Sequence, residues 1–292
     1  MNKTALIAGA TGQDGYFLTK KLIKKKYKVI GLSRKKRAYK PHNLILKTNY
    51  NEESLIKIIK KYKPSIIFNF AGESNPKTSW VNPLKKQNSI TRINLNFINA
   101  ILKKDKKIKY FHASTSEIFS SSNNRISEKS FYLPNNPYGC FKLSAHLTLN
   151  VYRKKYKLFF VNGILFNHES VKRGKNFLTS TIVRTAKQIK SGTKKKLILQ
   201  TPYPVRDFAH AEDTVDAIYK IMMLKNAHDF VISGGNIYSV KDYFKDCFQH
   251  VRLISALKNP CTFLLEDKVL HWNVGRLYFL NTAKEHTLFN AT

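Results

Sequence analysis

The sequence predicts an α/β fold in which a doubly wound parallel sheet carries helices on both faces. Three observations support this prediction. Short apolar runs alternate with segments of helical period, a glycine-rich turn joins the first run to the first helical segment, and neither a repeat nor a low-complexity linker interrupts the series. Because no linker is present, we expect any second domain to be woven into the sheet domain.

The individual elements follow from the apolar pattern. The predicted strands are Ala5 to Ala8, Lys28 to Leu32, Leu44 to Lys47, Ser65 to Phe70, Lys109 to Ala113, Phe159 to Ile164 and Asp229 to Ile232. Leu55, Ile56 and Ile59 have helical spacing, and Pro64 ends that helix before the next strand begins. The predicted helices are Tyr16 to Lys26, Glu52 to Tyr62, Asn88 to Lys103, Tyr138 to Tyr156, Asn176 to Lys190, Asp213 to Leu224 and Val240 to Cys247.

The composition indicates a globular chain. It has 292 residues, of which 42% are hydrophobic, so it can bury a large core. No apolar run approaches the roughly 20 residues of a membrane span, and no signal-peptide core is evident, so we expect a cytoplasmic protein. The three cysteines lack a C-x-x-C spacing, which indicates neither a disulfide framework nor a metal site. We expect them to be small or partly buried residues.

The net charge of +34 raises the question of a polyanionic partner. The lysines are dispersed along the chain and recur where amphipathic helices would face solvent or end. No helix-turn-helix, zinc-finger or RNA-binding aromatic signature accompanies them. The pattern therefore favours a general lysine bias over nucleic-acid binding.

A glycine loop follows the first predicted strand and opens the first helix. Glycines permit a tight turn there and let main-chain N–H groups at the helix N-terminus approach a pyrophosphate. This context predicts a Rossmann dinucleotide site. Its candidate cofactor-binding residues are Gly9, Thr11, Gly12, Gln13, Asp14 and Gly15.

The end of the second predicted strand indicates which dinucleotide binds. NAD enzymes usually place an acidic residue there, against the adenosine ribose. The segment from Gly31 to Arg37 contains four cations and no carboxylate. We therefore expect NADP, with Arg34 stacking on the adenine or pairing with the 2′-phosphate.

Tyr138 and Lys142 form the first candidate catalytic pair. They lie four residues apart at the start of a predicted helix, and so on one face of it. A free tyrosine has a pKa of about 10, and a nearby ammonium together with a positive nicotinamide favours the phenolate. Tyr138 can then accept the proton of a sugar hydroxyl while the hydride leaves.

Thr115 and Glu117 follow the strand that begins near Lys109. Chemistry in doubly wound sheets collects at such carboxyl ends of strands. Thr115 can hydrogen-bond the reacting oxygen. Elimination of water beside a ketone needs a group that removes an acidified proton and protonates the departing hydroxyl, and Glu117 can do both.

These motifs resemble the GDP-mannose 4,6-dehydratases, a family of extended short-chain dehydrogenases/reductases. The resemblance is carried by the glycine loop Gly9 to Gly15, the segment Ser114 to Glu117, Tyr138 with Lys142, and above all the long segment Val161 to Ser170. It covers roughly residues 3 to 250. It implies a redox-neutral dehydration of GDP-mannose with NADP, giving GDP-4-keto-6-deoxymannose, a precursor of fucose and rhamnose nucleotides.

The resemblance also implies further site residues and a domain division. Ala71, His168 and Arg173 should lie against the cofactor, while Asn167 and Arg206, together with Arg173, should meet the GDP diphosphate or ribose. Residues 1–165 with about 205–235 should form the NADP-binding domain. About 166–204 with 236–292 should form the substrate-binding part. A homodimer or homotetramer is expected, in which the basic loop after Arg34 could reach a neighbouring cofactor.

The chain departs from the family pattern at several positions. Ser180 and Thr181 replace an Arg-Lys pair, Asn49 replaces an aspartate, and Glu73 replaces a glutamine near the nicotinamide. Beyond about residue 252 the family pattern is not recognisable, so the substrate domain is expected to be truncated or divergent. Two alternatives therefore stay open: an NADP-dependent epimerase or reductase of another nucleotide sugar, and a non-catalytic Rossmann remnant that binds a partner.

Overall fold

The computed structural model describes residues 3–34, 41, 44–119, 126–193, 198–199, 205–235 and 237–241, together with 261–265, 268–272, 277–282 and 286–291. The chain folds into two compact units. The first comprises Met1–Lys172 and Ala209–Gly234, and the second comprises Arg173–Phe208 and Gly235–Thr292. Lys35, Lys36 and Arg37 of the predicted basic loop lie outside the described residues.

The described residues form fifteen strands and eight α-helices. The strands are β1 (Thr4–Ala8), β2 (Lys28–Ser33), β3 (Ile45–Lys47), β4 (Ile66–Asn69), β5 (Lys109–Thr115), β6 (Phe160–Leu165), β7 (Asn167–Glu169), β8 (Ile198–Leu199), β9 (Val205–His210), β10 (Phe230–Ile232), β11 (Ile237–Ser239), β12 (Cys261–Leu265), β13 (Lys268–Trp272), β14 (Leu277–Thr282) and β15 (His286–Ala291). The helices are α1 (Gln13–Lys24), α2 (Glu52–Tyr62), α3 (Lys77–Val81), α4 (Pro83–Gln87), α5 (Ile93–Lys104), α6 (Pro137–Tyr156), α7 (Leu178–Lys190) and α8 (Ala211–Met222).

A seven-stranded sheet forms the centre of the first unit. Its strand order is β10-β6-β5-β4-β1-β2-β3, and every neighbouring pair is parallel. The predicted doubly wound sheet is therefore confirmed, and all seven predicted strands belong to it. The strand order reverses between β1 and β4, which is where doubly wound sheets bind ligands at the carboxyl ends of their strands.

Helices cover both faces of this sheet. Leu6 and Ala8 of β1 belong to one core cluster, while Ala5 and Ile7 of the same strand belong to the other. Side chains of a strand alternate between faces, so a strand covered on both sides reads as a continuous apolar run. This is why β1 could be recognised from its sequence without any polar alternation.

The helix ends show where local sequence signals were misread. Helix α1 begins at Gln13 rather than at the predicted Tyr16, because Gly12 is its N-cap. Helix α2 has its predicted bounds; Asn51 caps it by accepting the Ser54 N–H at 3.0 Å. Helix α6 begins one residue before the predicted Tyr138.

The helix predicted from Asn88 to Lys103 is divided in two. Asn88–Arg92 forms a π-helical turn that leads directly into α5, and the short helices α3 and α4 precede it. Helices α3 and α4 were not predicted, because five residues are too few for a helical period to be visible. Only 240–241 of the helix predicted from Val240 to Cys247 lie among the described residues.

The second unit has smaller sheets of its own. Helix α7 begins at Leu178, two residues after the predicted start. Strands β9 and β11 pair antiparallel, β12 pairs antiparallel with β13 and parallel with β8, and β14 and β15 form an antiparallel pair.

Some of the dispersed lysines lie at helix ends. The last turns of α1, α2, α5 and α6 all carry Lys or Arg side chains, which complement the negative end of the helix dipole. Among the described residues, no helix combines the length and the apolar character needed to pass through a bilayer.

Candidate active site

The glycine loop joins β1 to α1 at the place where the strand order reverses between β1 and β4. Gly9 has φ +76°, a conformation that favours glycine, and its N–H points at the Leu32 oxygen at 3.1 Å. A Cβ atom on Gly15 would lie 2.6 Å from the Gly9 oxygen, so only glycine allows α1 to pack so closely on the loop. The cap residue Gly12 provides no side-chain hydrogen bond to α1. The main chain thus forms a cradle of the kind that binds a pyrophosphate.

The Tyr50 hydroxyl forms hydrogen bonds that stabilise this loop, a role that was not predicted from the sequence. Its hydroxyl accepts the Gly9 N–H at 3.2 Å and donates to the Leu32 oxygen at 2.9 Å. Burial raises the pKa of Tyr50, which keeps the hydroxyl protonated and able to make both bonds. No local signal marks this residue, because its partners lie many positions away in the sequence.

Side chains of the glycine loop bind the segment around His168. The Gln13 amide donates to the His168 main-chain oxygen at 3.0 Å and accepts from the Ser170 hydroxyl at 2.7 Å. The Asp14 carboxylate lies 2.9 Å from Nε2 of His168. The structure therefore brings together Gln13, Asp14 and His168, and their side chains hold the loop in place.

The end of β2 opens onto a polar cleft of about 620 Å³. Arg34, Lys85 and Arg92 line it together with Tyr50 and several amide side chains. Arg34 is exposed, and its side chain is thus available to a ligand. Among the described residues that line this cleft there is no carboxylate. Its chemistry suits an anionic group such as a phosphate.

The loop after β4 contains Ala71, another predicted cofactor contact. Ala71 is buried, and its N–H donates to the Asn69 side chain at 3.0 Å. Lys86 ties the same loop down: it is 1% exposed and lies 2.8 Å from the Glu73 carboxylate. A hydrogen bond from Lys86 lowers the pKa of Glu73, against the effect of burial. The sequence did not single out Lys86, because the pair Lys85-Lys86 looks like the other lysine pairs of this chain.

Tyr138 and Lys142 lie on the first two turns of α6, as their spacing predicts. Both are 6% exposed. The Lys142 Nζ atom lies 6.0 Å from the centroid of the Tyr138 ring and donates to the Ala113 oxygen at 2.6 Å. Burial lowers the pKa of Lys142 to about 8. An ammonium so close to the phenol can stabilise a phenolate.

Thr115 and Glu117 lie at the carboxyl end of β5. Strand β5 runs two residues further than predicted, so Thr115 is its last residue and caps the 3₁₀ turn Ser116–Ile118. The Thr115 hydroxyl accepts the Glu117 N–H at 3.3 Å. Thr115 is 8% exposed, whereas Glu117 is half-buried.

Asn136 connects Glu117 with the start of α6. Its amide nitrogen donates to the Glu117 carboxylate at 2.7 Å, and its amide oxygen accepts the Gly139 N–H at 2.9 Å. A Cβ atom on Gly139 would collide with the Glu117 main-chain oxygen, so glycine permits this close approach. The contact brings together the carboxylate of Glu117 and the helix that carries Tyr138. An asparagine followed by a proline before a helix is a cap signature, and it was the available signal for Asn136.

The predicted substrate contacts are divided between the two units. Asn167 is half-buried on β7 of the first unit. In the second unit, the Arg173 guanidinium stacks on the Phe177 ring at 3.7 Å, and the Arg206 guanidinium on β9 donates to the Val205 oxygen at 2.9 Å. Cys140 is a free cysteine and is exposed on α6.

Comparison with known sequences identifies the relatives of this chain. A family profile described as GDP-mannose 4,6 dehydratase matches residues 6–262. The chain is 33% identical over 278 residues to the human GDP-mannose 4,6 dehydratase, covering 85% of this chain and 72% of that protein. It is 32% identical over 272 residues to GDP-mannose 4,6 dehydratase 1 of Arabidopsis thaliana, covering 86% and 75%. It is 31% identical over 264 residues to the Vibrio cholerae enzyme of that name, covering 84% and 71%.

Solved structures show the same fold. The dTDP-glucose 4,6-dehydratase of Bacillus anthracis in complex with NAD superposes with a TM-score of 0.76 at 21% identity, covering 90% of this chain and 84% of that one. The UDP-glucose 4-epimerase of Thermus thermophilus in complex with NAD gives a TM-score of 0.74 at 18% identity, covering 84% and 82%.

Proposed function

The chain belongs to the GDP-mannose 4,6-dehydratase family, and from this we propose that it is a hydro-lyase that converts GDP-mannose to GDP-4-keto-6-deoxymannose. The observation that carries the proposal is the hydrogen bond from Asn136 to Glu117. It holds a carboxylate at the end of β5 against the first turn of α6, beside Tyr138. A reductase or epimerase needs the tyrosine and lysine, but a dehydratase also needs this acid–base group.

The residues present suit a dinucleotide, and NADP in particular. The cradle kept open by Gly15 and the uncapped start of α1 suit a pyrophosphate. Arg34, Lys85 and Arg92 line a cleft beside the end of β2 and suit the additional phosphate of NADP. When bound, the dinucleotide would supply reversible hydride chemistry between carbon 4 and carbon 6 of the sugar.

Tyr138 serves as the base of the first step. It accepts the proton of the 4-hydroxyl while Lys142, whose Nζ atom lies 6.0 Å from the ring centroid, stabilises the phenolate. Thr115 donates a hydrogen bond to the oxygen that becomes the ketone. The low exposure of all three side chains excludes bulk water, which strengthens these electrostatic effects.

Glu117 carries the elimination. The ketone at carbon 4 acidifies the proton on carbon 5, and the Glu117 carboxylate removes it. The resulting carboxylic acid then protonates the hydroxyl on carbon 6, the carbon–oxygen bond breaks, and water leaves. Glu117 therefore takes a proton from carbon 5 and gives it to the departing hydroxyl. When the hydride returns to carbon 6, carbon 5 needs a proton again, and the proton that Tyr138 took in the first step balances this demand.

The second unit is proposed to bind the nucleotide part of the substrate. Arg206 is exposed on β9 and can form charge-assisted hydrogen bonds with a diphosphate. Arg173 provides a second guanidinium on the same unit. His168, bonded to Asp14, would meet the cofactor at the edge of the glycine loop.

We further propose that the chain forms a homodimer through α6. Leu147 and Val151 are 44% and 63% exposed, and with Cys140 and Leu143 they border a groove of about 650 Å³ on one face of this helix. A second copy can cover this face by packing the same helix against it around a two-fold axis. A homotetramer would combine two such dimers.

The test uses two variants that stop the reaction at different points. Purified protein is incubated with GDP-mannose and NADP, and the sugar nucleotide is analysed by mass spectrometry for loss of one water. Glu117→Gln should still reduce NADP in a single turnover, seen as near-ultraviolet absorbance, but should not lose water. Tyr138→Phe should do neither.

Other outcomes point to the alternatives. A wild-type protein that reduces NADP but never releases water would be a reductase or epimerase. A protein that binds NADP but leaves GDP-mannose unchanged would be the non-catalytic remnant. Water loss that persists in Glu117→Gln would remove Glu117 from the mechanism.

A further inference from the structure

A largely buried hydrogen-bonded chain links β5 and α6 to Asp229, the residue before β10. The Ser114 hydroxyl lies 3.1 Å from Nδ1 of His146, and Nε2 of the same ring lies 3.0 Å from the Asp229 carboxylate. Ser114 is 3% exposed and His146 is fully buried. The order serine, histidine, aspartate resembles a hydrolytic triad, but no substrate can reach a serine buried in this way.

Asp229 fixes the direction of these bonds. It also accepts from Arg153 at 2.8 Å and from Asn150 at 2.8 Å. Burial opposes ionisation, but the hydrogen bonds from His146 and Arg153 outweigh it and hold the pKa of Asp229 well below its usual range. A carboxylate only accepts, so Nε2 of His146 carries a hydrogen, and in the neutral ring Nδ1 then accepts the hydroxyl of Ser114.

The Ser114 bond lies beside the proposed catalytic residues on both elements. Ser114 directly precedes Thr115 on β5, and His146 is one helical turn beyond Lys142 on α6. Lys142 donates to the oxygen of Ala113, the residue before Ser114. Lys142 and His146, on successive turns of α6, thus form hydrogen bonds with Ala113 and Ser114 of β5. These two residues directly precede Thr115.

We propose that His146 is a positioning residue for the dehydration, and that it acts through Ser114. Its Nδ1 atom holds the carboxyl end of β5 at a fixed register against α6, so that Thr115 and Glu117 face Tyr138. The inference rests on the proposed function, because its main readout is the rate of that reaction. The Asp229 bond has a different role, which is to fix the ring tautomer and stabilise the fold.

Two variants of His146 separate the hydrogen bond at Nδ1 from those at Nε2, which also lies 3.3 Å from the Tyr132 hydroxyl. In His146→Asn the amide occupies the place of Nδ1 and can still bind Ser114, whereas in His146→Gln it occupies the place of Nε2 and can still bind Asp229. His146→Asn loses the charge-assisted bond and should be the less stable variant. His146→Gln should nevertheless be the less active one.

The expected result is an opposite order of melting temperature and kcat. We expect kcat to fall about tenfold in His146→Gln and Ser114→Ala with KM for GDP-mannose unchanged, because a displacement of about 1 Å can cost up to a hundredfold. His146→Asn should stay within about twofold of the wild type. The double variant Ser114→Ala/His146→Gln should be no slower than either single one, because both remove the same bond.

A matched control is His228→Gln, which changes an exposed histidine next to Asp229 and should leave kcat unchanged. The inference is overturned if kcat follows melting temperature across the variants, or if His146→Asn is as slow as His146→Gln. A wild type that fails to dehydrate GDP-mannose would refute the proposed function instead. Amide hydrogen exchange of residues 114–118 would then decide, since only His146→Gln and Ser114→Ala should accelerate it.

Discussion

The side chain of Asn136 binds Glu117 and the first turn of α6 at the same time. Its nitrogen donates to the Glu117 carboxylate at 2.7 Å, while its oxygen accepts the Gly139 N–H at 2.9 Å. The amide oxygen of Asn136 thus caps α6, and its amide nitrogen is proposed to orient the Glu117 carboxylate. Because the two tasks use different atoms, they can be separated by substitution.

Asn136→Ser should keep the cap and lose the contact with Glu117. A serine is as good a cap as asparagine, so the free energy of unfolding should change by less than about 0.5 kcal/mol. We expect kcat for water loss to fall about tenfold, because the carboxylate is no longer oriented. Urea unfolding and the mass-spectrometric assay measure the two effects.

Asn136→Ala is the matched control for this prediction. It loses the cap as well, so it should cost a further stability of about 1 kcal/mol and have the same kcat as Asn136→Ser. If Asn136→Ser retained full activity, the Asn136 contact would not orient Glu117 during the reaction.

Lys142→Met should change how stability depends on pH. Burial lowers the pKa of Lys142 from 10.5 to about 8, so between these values the unfolded chain binds a proton that the folded chain does not. The buried ammonium therefore destabilises the wild type fully below pH 8, and this cost is relieved as the pH rises towards 10.5. The cost is roughly 3 kcal/mol, because a tenfold loss of proton affinity corresponds to about 1.4 kcal/mol.

The quantity to measure is the difference in unfolding free energy between Lys142→Met and the wild type. It should fall by up to roughly 3 kcal/mol over that pH range, since methionine does not titrate. Taking the difference cancels the titration of all other groups. A difference that stays constant with pH would show that the Lys142 ammonium is not destabilised by burial.

Two glycines of the cofactor loop should respond differently to alanine. A Cβ on Gly15 would lie 2.6 Å from the Gly9 oxygen, whereas one on Gly12 would meet the same atom at 3.2 Å. Gly15→Ala should therefore destabilise the protein by about 1–3 kcal/mol. Gly12 has φ −80°, which alanine adopts easily, so Gly12→Ala should fold normally but bind NADP weakly.

Thermal unfolding without cofactor and NADP titration calorimetry distinguish the two variants. The expected pattern is a lower melting temperature only for Gly15→Ala. Normal NADP affinity in Gly12→Ala would mean that the pyrophosphate does not approach this part of the loop.

Arg34→Ala should reduce the preference for NADP over NAD. A hydrogen bond to a charged group contributes about 1.5–3 kcal/mol, so the Kd for NADP should rise by about tenfold to a hundredfold. The Kd for NAD, which lacks the 2′-phosphate, should change little. Lys57→Ala is the control, because Lys57 is an exposed cation on α2 that does not line the cleft. Equal losses for both cofactors would refute the role of Arg34 in selecting NADP.

Val151→Glu should disrupt the proposed dimer. A carboxylate on this exposed apolar position would be buried without a partner when two copies pack through α6. Sedimentation should show a shift towards monomer at micromolar concentration. Lys60→Glu, a charge reversal at an exposed position of α2 away from the groove, should sediment like the wild type. An unchanged mass for Val151→Glu would place the interface elsewhere.

Features that depend only on neighbouring residues could be predicted from the sequence. The apolar run of β1, the glycine loop and the four-residue spacing of Tyr138 and Lys142 depend on strand and helix periodicity, so the sequence was sufficient to predict them. The cap at Asn136 was also encoded locally but was overlooked, which moved the predicted start of α6 by one residue. The same holds for Gly12 and the start of α1.

By itself the sequence determined the order of the seven strands of the central sheet and of the longer helices around it, the cofactor loop and the identity of the candidate catalytic residues. The tertiary structure alone decided which distant side chains meet: Asn136 with Glu117, Lys86 with Glu73, and Ser114 with His146 and Asp229. Hydrogen bonds between residues far apart in sequence depend on how the sheet and helices pack, and no periodicity records that packing. Their partners therefore become known only when the chain is folded.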